Sequence, residues 1–109
     1  MAGDFDDDEK SQTITRIKDM VGQAEQMVQQ VHQLYMQYQT GAERLPPNVR
    51  RRQLDQLMES LNTMGKPTNA IQFRFRTLFN TYKTYADRWD RIVRKVESGD
   101  FKRPIAPKK

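Results

Sequence analysis

The stretch from Leu61 to Ile71, LNTMGKPTNAI, decides between two architectures. On either side of it the pattern is helical. Leu54, Leu61, Phe75, Tyr82, Trp89 and Val96 keep one heptad phase straight through Gly65, Lys66 and Pro67. That unshifted phase permits a single helix from about 47 to 98, kinked at the proline and folded against an earlier helix as a hairpin. The alternative is a chain reversal at Gly65, which makes three helices. Proline removes a backbone donor and clashes one turn back, and the nearby glycine adds a second breaker, so the local composition favours a break. Asn69, with Gln72 three residues on, supplies a fresh start signal. The fold class expected is therefore all-α: an elongated helical hairpin or a three-helix bundle with coiled-coil-like heptad packing.

Upstream, Ile14, Ile17, Val21, Ala24, Val28, Val31, Tyr35 and Tyr38 alternate gaps of three and four without a miss. This is a heptad stripe, the mark of a helix laid lengthwise on another. Met20, Met27 and Leu34 recur beside it and widen the apolar face to that of a bundle. Gly41 suits a left-handed cap, and Pro46 and Pro47 can open the next helix but not continue this one. The second helix turns Leu54, Leu57, Met58, Leu61 and Met64 inward. Downstream, Ile71, Phe75, Leu78, Tyr82, Tyr85, Trp89, Ile92 and Val96 repeat the heptad spacing, flanked by Phe79, Ala86 and Val93, until Gly99 ends the helix.

These signals divide the chain into a disordered acidic N-terminal tail over 1–9, a single helical domain over 10–98 and a basic flexible tail over 99–109. Within the domain, helices are predicted at about 10–40, 47–64 and 68–98, with Ser11 or a nearby Asp capping the first. A helix of about 31 residues is about 46 Å long, which makes the object rod-like.

A chain of 109 residues bounds the answer to one domain. The absence of Cys excludes disulfide scaffolds, thiolate metal sites and thiol nucleophiles, and one His excludes a two-histidine site. Apolar runs are too short for a membrane span, and the acidic start is unlike a signal peptide, so a cytoplasmic protein is expected. The net charge of +5 is an uneven sum. Residues 1–10 hold five acids against one base, whereas residues 65–98 hold eight bases against three acids.

Catalytic chemistry finds little support. GDFDDDE at the N-terminus offers oxygen ligands, but Glu9 stands where a calcium loop needs glycine. Gly65, Lys66, Pro67 and Thr68 resemble the end of a phosphate loop without its upstream glycine or its Lys-to-hydroxyl adjacency. His32 could be paired on paper with Ser11, Ser60 or Ser98, yet no nucleophile elbow is present, and a packing histidine is the simpler reading. Asp55, Glu59, Asp87 and Asp90 read as partners for nearby bases, Asp87 for Lys83 or Arg91 and Asp90 for Arg94. No enzyme, catalytic residue, cofactor, metal or small-molecule substrate is expected.

Two surfaces remain. On the third helix, Arg74, Arg88, Arg91 and Lys95 form an acid-free strip, a candidate track for an anion or an acidic partner. Lys102, Arg103, Lys108 and Lys109 extend it, and Arg50, Arg51 and Arg52 are candidate supplements. On the first helix, Gln26, Gln29, Gln30, Gln33, Met36 and Gln37 form a nearly uncharged face, a candidate protein interface because amides cost less to bury than charges. Phe73 projects from the polar side and either packs on the Gly65 turn or marks a contact. The function expected is a non-catalytic helical interaction module, an adaptor, scaffold or assembly factor with a protein partner or a second copy of itself. The alternative is a small basic protein that binds nucleic-acid backbone without sequence specificity.

Overall fold

The structure, a computed structural model, describes the backbone of residues 2–99 and the side chains of residues 9–99. It comprises three helices, α1 (Ala2–Thr40), α2 (Asn48–Thr63) and α3 (Asn69–Ser98), with no strand among the described residues.

Side-chain pairs give the topology. Arg51 of α2 binds Asp90 of α3 at 2.9 Å, and Asp55 accepts from the Tyr82 hydroxyl at 2.6 Å, so residue numbers rise on α2 as they fall on α3. Glu25 pairs with Arg74, and His32 with Trp89, so α1 and α3 run parallel. One continuous helix from 47 to 98 would hold Arg51 and Asp90 about 58 Å apart. The stretch at Gly65 is therefore a reversal, and the fold is an elongated up-down-up three-helix bundle of 67 × 26 × 16 Å.

Local chemistry explains the reversal. Met64 adopts extended backbone after α2, and Lys66 Nζ donates to the carbonyls of Asn62 (3.2 Å) and Met64 (2.8 Å) while lying 4.4 Å from the centre of the Phe75 ring. A cation on the last carbonyls of a helix satisfies orphan acceptors and opposes the helix dipole. Thr68, rather than Asn69, caps α3: its backbone is extended and its hydroxyl accepts from the Ile71 N–H at 3.1 Å. Gln72 still contributes, by donating to the Lys66 carbonyl. Gly65 does not use its conformational freedom, since the left-handed glycines are Gly41 (φ 90°) and Gly99 (φ 83°), at the ends of α1 and α3.

The core is the two heptad stripes and the apolar side of α2. Ile17, Val21, Ala24, Val28, Val31, Tyr35 and Tyr38 of α1 are buried, as are Leu54, Met58 and Leu61 of α2 and Ile71, Phe75, Leu78, Trp89 and Ile92 of α3. Phe79, Ala86 and Val93 pack against it from the flank as half-buried residues. Trp89 is fully enclosed, stacked at 5.0 Å on Tyr35 and at 5.8 Å on Tyr85.

The helical backbone of α1 begins at Ala2, taking in residues 2–9 where a disordered acidic tail is expected; the side chains of residues 1–8 lie outside the described residues. Elongating an existing helix needs no new nucleus, and acidic residues favour its N-terminus through the dipole. The α2–α3 turn lies beside Thr13, Arg16 and Ile17, so the first turns of α1 project past the bundle. Of the expected C-terminal tail over 99–109, everything after Gly99 lies outside the described residues.

Candidate functional site

The glutamine face forms where the α1 sequence leaves its heptad stripe. Gln26, Gln29, Gln30, Gln33 and Gln37 are all exposed, as their positions between buried stripe residues require. Gln30 accepts a hydrogen bond from Arg50 at 2.8 Å. Gln26, Gln29 and Gln33 bond to no other side chain among the described residues. Met36 departs from its expected place: it is half-buried and packs against the core, because its flexible side chain lies down on the neighbouring apolar surface.

The basic strip is only partly free. Arg74 makes a two-pronged pair with Glu25 of α1, Nε to Oε2 at 3.0 Å and Nη2 to Oε1 at 2.7 Å. The hydrogen bonds from Arg74 hold the Glu25 carboxyl below its usual range, with burial opposing and the guanidinium charge assisting. Projection of α3 alone could not reveal this acid, because Glu25 belongs to another helix. Arg91 pairs loosely with Asp87 at 3.4 Å, one of the pairings expected from spacing. Arg88 and Lys95 make no ion pair among the described residues. Together with Arg91, Gln39, Thr84 and Ile92 they line an open concavity of about 470 Å³ between α3 and the last turn of α1.

Arg51 is not a supplement to that strip. Its guanidinium bridges Asp55 (3.2 Å) and Asp90 (2.9 Å), donates to the Tyr35 hydroxyl (3.3 Å) and lies 5.4 Å from the centre of the Trp89 ring. Burial works against its charge, yet the hydrogen bonds to Asp90 and Tyr35 and the field of Asp55 hold its pKa above the ordinary arginine value. Burial and the hydrogen bond to Asp55 likewise push the Tyr82 phenol up. Asp90 thus serves α2 instead of Arg94, the partner its spacing suggests, because a partly buried guanidinium offers it a less hydrated contact. The inward tyrosines were readable as needing polar partners; the partners themselves come from other helices.

His32 is half-buried, its ring stacked on Tyr85 at 4.4 Å. Its Nδ1 accepts from Trp89 Nε1 at 3.2 Å, so the nitrogen that a nucleophilic hydroxyl would need is already occupied. Burial, then the nearby Arg88 charge, lowers its pKa. Phe73 stands 70% exposed, which settles its two readings in favour of an open side chain. Leu45 and Val49, 77% and 63% exposed at the α1–α2 connection, carry no periodic signal and were not distinguishable from core candidates by type.

No group of three or more metal-ligating side chains occurs among the described residues, and no described helix is long and apolar enough to cross a membrane. Comparisons with known protein families, with curated proteins and with solved structures give no match to this chain.

Proposed function

We propose that the chain is a non-catalytic helical interaction module that works as an adaptor, scaffold or assembly factor, with the glutamine face of α1 as its lateral contact. The observation that carries this reading is the contrast between a core complete without that face and a row of exposed amides that, among the described residues, bonds to one side chain, Arg50. A solitary exposed helix face is usually laced with charge. Neutral amides can instead be desolvated against another helix and hydrogen-bond across it, at less cost than charges.

Sequence-blind binding to nucleic acid is weaker support for the same surface chemistry. Arg74 and Arg51 are engaged in internal ion pairs, which leaves Arg88 and Lys95, with the loosely held Arg91, as the basic groups available on this side. Three cations neutralise few phosphates and give binding that falls steeply with salt.

Light scattering after size-exclusion at two salt concentrations, with and without a generic DNA duplex, separates the readings. The module is expected to associate laterally in both salts and to ignore the duplex. Replacing Gln30, Gln33 and Gln37 together with Glu is expected to abolish lateral association without unfolding the chain. Duplex binding that survives moderate salt would overturn the proposal.

A further inference from the structure

The two ends of the rod carry opposite charge, and the geometry prevents them from meeting within one molecule. Residues 1–10 hold Asp4, Asp6, Asp7, Asp8 and Glu9 against Lys10, a net charge of −4. At the other end, Arg88, Arg91 and Lys95 line the concavity beside Gln39, with Ile92 as its apolar floor. Asp87, on Arg91 at 3.4 Å, is the acid paired there, and both members of that pair are well exposed to water. Past Gly99 the chain continues with four bases and one acid.

Helix dipoles do not account for this arrangement. The dipole reaches only the last turn of a helix. It covers Lys95, the base in the last turn of α3, but Arg88 lies ten residues before Ser98, about 15 Å from the helix end. Nor can the acidic segment fold back to neutralise the concavity. Glu9 and Gln39 belong to one continuous helix, and thirty residues of helix separate them by about 45 Å. Pro67 of the α2–α3 turn lies beside Glu9 and Lys10, so the turns of α1 that precede Glu9 run on beyond that turn.

We propose that the concavity formed by Gln39, Thr84, Arg88, Arg91, Ile92 and Lys95 receives the acidic first turns of α1 from a second copy of this chain, so that the rods associate end to end. The inference rests on the reading of the chain as an assembly module and adds a contact at its ends, separate from the lateral glutamine face. Such a contact uses two different surfaces of the same molecule, so it is heterologous and propagates instead of closing as a dimer. Charge attraction between exposed groups sets its strength, and the Debye length of about 10 Å at 0.1 M salt makes it salt-sensitive.

Sedimentation velocity and small-angle scattering of the full chain, at about 50 mM and about 500 mM salt, test this. At low salt the mass is expected to rise with concentration, with a maximum dimension near twice the 67 Å of one molecule; the high-salt sample is expected to associate at least about tenfold more weakly. Two charge-reversed variants are needed, one with Arg88→Glu, Arg91→Glu and Lys95→Glu, the other with Asp6→Lys, Asp7→Lys and Asp8→Lys. Each alone is expected to lose end-to-end growth and keep only the lateral contact, while an equimolar mixture regains it as an alternating chain, because each variant's first turns are complementary to the other's concavity. A chain carrying both sets of reversals is expected to regain end-to-end growth, which also answers any concern that one variant merely misfolds. A wild-type monomer at low salt, association that neither variant weakens, or growth that leaves the maximum dimension near 67 Å would overturn the proposal. So would a DNA duplex that displaces self-association and is itself lost in the first variant. Replacing Gln30, Gln33 and Gln37 with Glu leaves both ends intact, so failure of the lateral contact and failure of the end contact register separately.

Discussion

Trp89 Nε1 donates to Nδ1 of His32 across 3.2 Å, joining the fully buried indole of α3 to a half-exposed ring on α1. The bond gives the indole N–H a partner and leaves the imidazole neutral, with its proton on the other nitrogen. Protonating His32 would place a second donor against the first.

Acid should therefore weaken the fold through this pair. The folded-state pKa of His32 lies below the ordinary 6.5, so on acidification the unfolded chain takes up the proton first. The stabilisation is complete above pH 6.5 and is lost as pH falls through the folded value, with a cost of about 1 kcal/mol, that of one hydrogen bond. Urea midpoints measured from pH 8 down to 5 are expected to decline along this limb. His32→Gln keeps an acceptor that does not titrate and should flatten it. The Glu25 limb runs in the same direction but falls below its ordinary 4.5, outside this window.

Trp89→Ala is expected to cost about 3 to 5 kcal/mol, because a fully enclosed indole leaves a cavity among Tyr35, Tyr85 and the His32 ring. Denaturant unfolding followed by circular dichroism measures it. A change below about 1 kcal/mol would place Trp89 outside the core, contrary to its burial.

Arg51→Ala removes two ion pairs, the bond to Tyr35 and the contact with the Trp89 ring at once, and is expected to destabilise by about 2 kcal/mol. The loss stays moderate because Asp55 and Asp90 are 40% and 53% exposed and can rehydrate. Arg74→Ala, which breaks an exposed pair, should cost under about 1 kcal/mol and progressively less at higher salt. The ranking, Arg51 above Arg74, is the discriminating result in thermal melts.

The glycines should separate by backbone need. Gly22 lies within α1, where an added Cβ would meet only the Arg74 guanidinium tip at 3.5 Å, so Gly22→Ala is expected to stabilise by about 0.5 to 1 kcal/mol. Gly99→Ala meets no atom but must hold a φ of 83°, and is expected to cost about 1 kcal/mol. Both shifts are readable as changes in melting temperature.

Much of this architecture was legible in the residues. The unbroken three-four spacing from Ile14 to Tyr38 and from Ile71 to Val96 marked the faces that the structure buries, because a helix places residues at that spacing on one side whatever it packs against. Gly41, Pro47 and Gly99 marked helix ends for equally local reasons, in torsion angles and missing donors. The Thr68 cap was missed by one residue, since Thr68 and Asn69 are both competent caps and only the backbone angle at Thr68 chooses between them. The acid-free strip on α3 was misjudged at Arg74 for a different reason: a helical projection contains only its own helix, and Glu25 approaches from another.

What the sequence by itself determined is therefore each helix, its buried side and the charge along the chain, all set by bonds and spacings within a few turns. The direction in which the chain leaves Lys66 and Pro67 was beyond it, because the heptad phase through Gly65 is the same for a kink and a reversal. The tertiary structure decided that by bringing Arg51 onto Asp90 and Tyr82 onto Asp55, contacts available only when α3 returns along α2. It also decided which charges remain available, since pairing depends on distances between helices that no single helix contains. The acidic start of α1 and the basic concavity beside Gln39 lie at opposite ends of the rod because α1 spans its length and α3 runs parallel to it, and that is why the end-to-end contact proposed for them needs a second molecule.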